Sequence, residues 1–201
     1  MVACSLALLA ARTSPTILVD LAGDCAVCLG SADPAGPGVV EWMESPNADT
    51  DALSRLAVSM ADGLHLLPRG QHALVVPGRW GHLADALVNL AAAADRPTII
   101  VDAGTGEPDA ELLAVSEQSL LVIRPCFLAL RRATRLTVRP TAVVLVDEPG
   151  RSLSSRDVEH ALGVPVIAET VLDPAVARAV DAGLLASRLP RSLAHQLRGA
   201  A

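Results

Sequence analysis

The sequence contains no lysine and no tyrosine. All 16 of its lysine-or-arginine positions are arginine, and its aromatic residues are one phenylalanine and two tryptophans. A phosphate-binding loop of the G-x-x-x-x-G-K-[ST] type holds the outer phosphate oxygens with a lysine ammonium group. The arginine-rich composition can itself account for the missing lysine, so this absence alone is weak evidence against phosphate binding. The residues found at the positions of a phosphate-binding loop are the stronger evidence. Hydrolysis at a standard loop of this kind is not expected.

The sequence also lacks an excess of positive charge and a long apolar run. Its formal net charge is -6 and its pI is about 5.3. Binding along nucleic acid requires a basic surface, so general adhesion to nucleic acid is not expected. No apolar run reaches about eighteen residues, and the apolar stretch 3–11 has no basic residue before it. We therefore expect a cytoplasmic protein that does not span a membrane.

Four cysteines occur, and two of them form a Cys25-x-x-Cys28 pair. Such a pair can form a disulfide or share a metal ion, but in a protein of cytosolic type the thiols are expected to be reduced. No second pair and no nearby histidine completes a tetrahedral site. We therefore expect both side chains to pack as small apolar groups. The five histidines are scattered and are assigned no metal.

Short apolar segments of strand length alternate with segments of helix length. The predicted strands are 16–20, 63–68, 98–102, 119–125, 142–147 and 164–169. The predicted helices are 5–12, 49–60, 82–94, 110–116, 127–136, 154–162, 174–182 and 192–198. Strands that are apolar on both faces and separated by helices indicate an α/β fold, with a mostly parallel sheet of about six strands and helices on both faces.

Residues 1–201 are interpreted as a single α/β domain, in which the loop 30–49 is an irregular insertion rich in proline and glycine. This loop carries Trp42, one of the few aromatic residues. We expect Trp42 to be a buried anchor, and an apolar tip that faces a partner is the alternative.

Two predicted strands end in aspartate, at Asp20 and Asp102, and the second continues as Asp-Ala-Gly-Thr-Gly through Gly104 and Gly106. Proteins of the α/β class place ligands at the carboxyl ends of their strands. A carboxylate there can hold Mg²⁺ through water, and a glycine lets the chain approach a phosphate. Both aspartates can equally close the turns that follow the strands, and both glycines can serve turn geometry.

Taken in order along nearly the whole chain, these segments resemble the MinD/ParA family of deviant P-loop ATPases. The matching segments read VDLAGD (19–24), GLHLLP (63–68), DAGTG (102–106), LLVIRP (120–125), VVLVDEP (143–149) and LDPAVARAVDAG (172–183). Within the family, the resemblance is to the septum-site-determining and CpaE/TadZ-like group, in which altered phosphate loops occur. It implies a P-loop-NTPase-like fold, and it implies that the nucleotide-binding positions are Ser5, Asp20, Asp102, Gly104, Gly106 and Asp147, with Asp20 and Asp102 as the Mg²⁺ candidates.

The chain departs from the family at the parts that bind and hydrolyse ATP. Ala3 and Cys4 stand where the family has lysine and a threonine or serine, and a cysteine sulfur is a soft ligand where Mg²⁺ prefers a hard oxygen. Ala22 replaces the aspartate linked to activation of the attacking water. Asp147 replaces an asparagine that reads adenine, and a carboxylate cannot donate as an amide does. No catalytic residue is therefore assigned.

The family's first strand, which carries the phosphate loop, has no counterpart in this sequence. In the family that strand is central and lies between the strands that correspond to 98–102 and 119–125. A sheet cannot keep an unpaired gap at its centre, because buried backbone groups need hydrogen-bond partners. Either those two strands pair directly or something else fills the slot.

The densest basic cluster comprises five arginines between residues 124 and 139: Arg124, Arg131, Arg132, Arg135 and Arg139. We expect a solvated face or a site for an acidic partner protein rather than a DNA site. The tail 189–201 places Leu189, Leu193 and Leu197 at helical spacing, which faintly resembles the membrane-targeting tail of MinD. We expect this tail to pack on the domain. The resemblance also makes a homodimer plausible.

These observations favour a degenerate MinD/ParA-like protein that does not hydrolyse ATP, needs no bound cofactor and works as a positional or scaffold partner through protein contacts. One alternative is an ATPase that binds ATP-Mg²⁺ and receives its missing positive charge from a partner protein. A second alternative is an adaptor for a DNA or membrane surface.

Overall fold

A computed structural model describes residues 1–72 and 79–200 of the chain. Within these residues the strands are β1 Thr16–Asp20, β2 Val58–Ala61, β3 Leu64–Leu67, β4 Thr98–Asp102, β5 Leu120–Ile123, β6 Ala142–Asp147 and β7 Val166–Val171. The helices are α1 Val2–Ala10, α2 Cys25–Leu29, α3 Val39–Glu44, α4 Thr50–Ser54, α5 Trp80–Ala91, α6 Ala110–Val115, α7 Phe127–Ala133, α8 Ser155–Leu162, α9 Pro174–Asp181 and α10 Arg191–Gln196. A short 3₁₀ turn, Arg198–Ala200, follows α10.

The α/β fold with helices on both faces is confirmed, and every predicted strand overlaps an observed one. The prediction of one helix over 49–60 is wrong in its second half, because α4 ends at Ser54 and β2 follows. Strand β2 pairs antiparallel with β3 across the dipeptide Asp62-Gly63, in which Gly63 has a φ of 70°. Asp-Gly between two strands is a strong hairpin signal, and the prediction overlooked it.

The loop 30–49 is not irregular throughout, because it contains α3. Trp42 in this helix is a buried anchor, as predicted, with 4% of its surface exposed. Its indole Nε1 donates a hydrogen bond to the Asp49 carbonyl oxygen at 2.8 Å, and its ring stacks on His82 with centroids 4.6 Å apart. A buried indole whose N–H is satisfied fixes the helix against α5.

The strands form two separate sheets, in the orders β2-β3-β1-β4 and β5-β6-β7. All neighbouring strands run parallel except the β2–β3 pair. One expected arrangement of the sheet centre was direct pairing of the strands at 98–102 and 119–125. That prediction is wrong, because no strand pairing joins β4 to β5. Within residues 1–72 and 79–200, no strand lies between them either.

Helix α1 packs against both sheets and holds them side by side. Its residues Cys4, Ala7 and Leu8 belong to the apolar cluster that contains Leu18 and Leu64 of the first sheet. On the same helix, Val2 and Leu6 pack with Val144 and Val146 of the second sheet. They also pack with Leu193 of α10 and with Leu197, the residue after that helix. The opposite face of the first sheet is covered by α3 to α6, and that of the second sheet by α7 and α8.

The carboxylate of Glu41 joins α3 to the segment that follows β3. Its oxygens accept hydrogen bonds from the backbone N–H groups of Gly38 (2.8 Å), Gln71 (2.7 Å) and His72 (2.9 Å). Burial by itself raises the pKa of this carboxyl group, but the backbone N–H donors outweigh it and lower the pKa from 4.5 to about 2.

We predict that this carboxylate makes folding stability depend on pH in the acid range. Because the folded pKa of Glu41 is depressed, its contribution is present above pH 4.5 and is lost as the pH falls towards about 2. Glu41→Gln should lower the free energy of unfolding at pH 7 by about 1–3 kcal/mol and flatten its dependence between those pH values. Urea unfolding at a series of pH values measures both effects. The exposed Glu117→Gln is the control and should change neither; equal curves for the two variants would contradict the assignment.

Candidate functional site

The carboxyl ends of β1 and β4 meet at one edge of the first sheet. Asp20 and Asp102 are register partners in the β1–β4 ladder, so the two carboxylates emerge from adjacent positions. The sequence-predicted site residues Gly104 and Gly106 follow Asp102 in the next turn. This edge is where a parallel sheet places a ligand site.

Asp20 is buried, and both of its carboxylate oxygens accept backbone hydrogen bonds. Oδ1 accepts from the N–H of Gly23 at 2.6 Å, and Oδ2 accepts from the N–H of Cys25 at 2.9 Å. Only 2% of the residue is exposed. Asp20 therefore closes the turn after β1 and caps the first residue of α2, where a helix has N–H groups without partners inside it.

The Asp102 carboxylate has the same kind of local partners. Its Oδ1 accepts from the N–H of Gly104 at 2.9 Å, and its Oδ2 accepts from the thiol of Cys25 at 3.5 Å. Gly104 has a φ of 74°, which favours glycine, and an added Cβ there would lie 3.3 Å from the Cβ of Ala22. Cys25 thus contacts both aspartates: its backbone N–H donates to Asp20, and its thiol donates to Asp102.

Three buried cysteines, Cys4, Cys25 and Cys28, lie together where α1 meets α2. Hydrogen bonding with Cys25, reinforced by burial, raises the pKa of the Cys4 thiol to about 12. Hydrogen bonding with Cys4 and burial raise the pKa of Cys28 above its ordinary value. Hydrogen bonding with Cys4 lowers the pKa of Cys25. Burial and the charges of Asp20 and Asp102 outweigh this effect, so the pKa is raised above its ordinary value. At neutral pH the cluster therefore consists of neutral thiols, which pack as apolar groups.

The other predicted nucleotide-binding side chains do not converge on these strand ends by direct hydrogen bonds. Ser5 is fully buried, and its hydroxyl donates to the Met1 carbonyl oxygen at 3.1 Å, one turn back in α1. Asp147 ends β6, in the other sheet, and its carbonyl oxygen accepts from the N–H of Leu172 at 3.1 Å. Gly106 has a φ of 115°, and an added Cβ there would meet open space.

The sequence reasoning missed Arg69, which lies against this edge. Its Nη1 donates to the Ala22 carbonyl oxygen at 3.0 Å, and its guanidinium carbon lies 2.6 Å from where a Cβ added at Gly23 would be, so a side chain there would require Arg69 to move. Together with Asp20 and Asp33, it lines a cavity of about 120 Å³. Arg69 follows the carboxyl end of β3 by two residues, so the strand-end rule that selected Asp20 could have found it.

This donor set fits a bound Mg²⁺-nucleotide poorly. Mg²⁺ requires available hard oxygen ligands, whereas both Asp20 oxygens already accept backbone N–H groups and the Ser5 hydroxyl is turned into its own helix. The cavity beside Asp20 is also far smaller than the roughly 300–1,000 Å³ of ordinary ligand pockets. Among the residues the structure describes, no group of three or more His, Cys, Asp or Glu side chains could hold a metal ion.

The arginine cluster lies on the surface around α7. Arg124, Arg131, Arg132, Arg135 and Arg139 are all exposed, and Arg124 forms only a long 4.0 Å ion pair with Glu148. The first two residues of α7, Phe127 and Leu128, are 70% and 60% exposed. Sequence reasoning identified the arginines but not these apolar neighbours, because a helical segment does not reveal which of its residues lack a covering element.

The carboxyl-terminal segment packs on the domain, as predicted. Leu193 and Leu197 are buried against β6 and α1, and Leu189 packs beside them. Within the described part of the chain, no helix has the length and apolar character needed to cross a membrane.

The fold that carries this site is the MinD/ParA type of P-loop-NTPase-like fold. The chain is similar to the ParA family ATPase from Chlorobium tepidum, with a TM-score of 0.74 at 19% identity over 98% of this chain and 90% of that one. It is also similar to the MinC:MinD cell division complex of Aquifex aeolicus (TM-score 0.74, 18% identity, 98% and 87% covered). MinD of Pyrococcus horikoshii, complexed with Mg-ADP, is a further match (TM-score 0.68, 18% identity, 97% and 85% covered). No family profile matches the sequence, and no curated protein matches it.

We predict that Asp20 is more important for stability than Asp102. Asp20→Asn leaves one amide oxygen to serve two buried backbone donors, which should cost about 1–3 kcal/mol of unfolding free energy. Asp102→Asn, at the neighbouring register position, keeps an oxygen for Gly104 and should cost less. Chemical denaturation of the two variants compares them directly. A larger loss for Asp102→Asn would contradict the structural role given to Asp20.

Proposed function

We propose that this protein is a non-hydrolysing MinD/ParA-like protein, in effect a pseudo-ATPase, that acts as a positional or scaffold partner through protein contacts. The observation that carries the proposal is that the two aspartates at the ends of β1 and β4 already have hydrogen-bond partners within the chain. Asp20 has both oxygens engaged by backbone donors, and Asp102 accepts the Cys25 thiol. A sequence without lysine, with Ala3 and Cys4 at the start of α1, supplies no lysine ammonium group to hold a triphosphate.

The exposed start of α7 supports the part of the proposal that concerns protein contacts. Phe127 and Leu128 are two large apolar side chains that are mostly exposed to solvent. The exposed Arg124 precedes them in the sequence, and the exposed Arg131 and Arg132 follow them. Apolar anchors beside arginines are the composition of protein interfaces. The arginines suit an acidic rim on the partner, while the formal charge of -6 disfavours DNA.

We further propose a cytoplasmic protein whose 201 residues act as one domain, with a homodimer as one form of its protein contacts. The similar MinD structure from Pyrococcus horikoshii contains Mg-ADP, and the fold it shares with this chain gives the ATP-binding alternative its support. In that alternative a partner supplies the missing positive charge, and Asp20 and Asp102 exchange their present hydrogen bonds for Mg²⁺ or its waters.

We predict that the double variant Phe127→Ser/Leu128→Ser loses partner binding without loss of stability. Both side chains are mostly exposed, so their replacement should change the melting temperature little. Cross-linking in the cells that produce the protein should yield the same products for the natural chain and for Val88→Ser, a matched change of a 46% exposed side chain on α5. The double variant should lose those products. Unchanged products in the double variant would contradict a contact role for this surface.

A further inference from the structure

A shallow groove runs beside β2, the outer strand of the first sheet. Its volume is about 370 Å³, at the low end of the roughly 300–1,000 Å³ of ordinary ligand pockets. Its apolar lining consists of Leu29, Met60, Ala61 and Ala186, which belong to or pack against the apolar cluster that contains Leu18. A groove of this size and lining suits one or two large apolar side chains.

One side of the groove is formed by two helices that end against each other through glycine. Gly30, which ends α2, and Gly183, two residues after α9, have φ values of 92° and 65°. A Cβ on Gly30 would collide with the Gly183 carbonyl oxygen, so the two backbones are in direct contact. The lining is completed by Ser31 and Ser187, which are small and exposed. This side of the groove therefore carries small residues only.

Exposed carboxylates border the groove. Asp62 adjoins a lining residue in the sequence, and Asp181 lies two residues from another. Asp33 is equally close, and it also lines the cavity beside Arg69. Arg188 is the one basic residue within two positions of a lining residue. In the part of the chain that the structure describes, none of the three aspartates belongs to an ion pair. The border of the groove is thus mainly negative.

The start of α7 has the complementary character. Phe127 and Leu128 are 70% and 60% exposed. Residues 124–139 contain five arginines and no carboxylate, so the negative charge of the chain lies elsewhere. Of these arginines only Arg124 has an ion-pair partner among the described residues. An exposed apolar pair with a positive border therefore matches an apolar groove with a negative border.

The two surfaces lie on different sides of one molecule. Helix α7 packs on the face of the second sheet that is opposite α1. The groove belongs to the side of the first sheet that α1 and α2 cover. A contact between the two surfaces must therefore join two molecules. Such a contact is heterologous, because it leaves a free groove on one molecule and a free α7 surface on the other.

We propose that the groove binds the start of α7 from a second copy of this chain, so that molecules assemble head to tail. Phe127 and Leu128 of one copy enter the groove of the next, and the arginines of α7 face Asp62 and Asp181. A repeated contact of this kind either closes into a ring or extends as an open chain. The inference rests on the proposed function, because it names the partner of the same α7 surface.

Sedimentation velocity of the purified protein over a series of concentrations tests this arrangement. Species larger than a dimer should form as the concentration rises, and higher ionic strength should weaken them because exposed charges are screened. Ser187→Arg puts bulk and a like charge into the groove, and Phe127→Ser/Leu128→Ser removes the apolar pair. Each change should raise the dissociation constant at least about tenfold. Asn89→Arg, the same charge change at an exposed position of α5, is the control and should associate as the natural protein does.

Mixing the two variants tests the direction of the contact. Each variant keeps one intact surface, so equal amounts should combine into a 1:1 dimer that grows no further. The melting temperature of each variant should stay close to that of the natural protein, since the replaced side chains are exposed.

A protein that sediments as a monomer at every concentration would overturn the inference, as would association that Ser187→Arg leaves unchanged. Growth that stops at a dimer, or a mixture of the variants that stays monomeric, would also overturn the head-to-tail contact. The proposed function fails separately. Cross-links to other proteins that depend on Phe127 and Leu128, found while the purified protein stays monomeric, would remove the second copy as partner and leave the scaffold role in place.

Discussion

The Asp20 carboxylate is the interaction on which the strand-end region depends. It accepts two backbone N–H groups, and one of them belongs to Cys25, the first residue of α2. That contact fixes the start of α2, so that the Cys25 thiol reaches Asp102 and the helix packs its buried residues against α1. A carboxylate with two charge-assisted partners and almost no exposed surface is costly to release. The region is therefore held together from within, by hydrogen bonds that a bound cation would have to replace.

Helix α1 then determines the larger architecture. One side of it packs on the first sheet through Cys4, Ala7 and Leu8, and the other packs on the second sheet through Val2 and Leu6. Among residues 1–72 and 79–200 no hydrogen-bonded strand joins the two sheets, and the apolar contacts of α1 connect them. The chain thus has the MinD/ParA type of fold, and within its described residues α1 packs on both sheets.

The sequence predicted the fold well wherever a strand was apolar on both faces. The six strands that were predicted all exist, because runs such as TIIVD and AVVLVD are too short and too β-branched for helices. Strand β2 was assigned to a helix, since its four residues alternate little and its only signal was the Asp-Gly turn. Helix α3 was missed because the surrounding prolines and glycines dominate the composition of that loop, and because two of the three N–H groups that Glu41 accepts lie about thirty residues away.

The site was predictable only in part. Strand ends located Asp20 and Asp102, but the hydrogen-bond partners that define their roles depend on tertiary structure, as with the thiol of Cys25 beside Asp102. The position of Ser5 was predicted, whereas the direction of its hydroxyl was not, since a serine in a helix can bond to its own backbone or project away from it. The break between β4 and β5 was not predicted, since these strands were expected either to pair or to have the slot between them filled. Local sequence says nothing about which strands become neighbours.

Calorimetric titration with ATP and Mg²⁺ tests the central claim most directly, because it asks whether the strand ends accept a nucleotide at all. The account predicts no heat of binding and no phosphate release, with the amide exchange of Gly23 and Cys25 unchanged by the nucleotide. A binding heat that disappears in Asp102→Ala, together with altered exchange at those two amides, would contradict it.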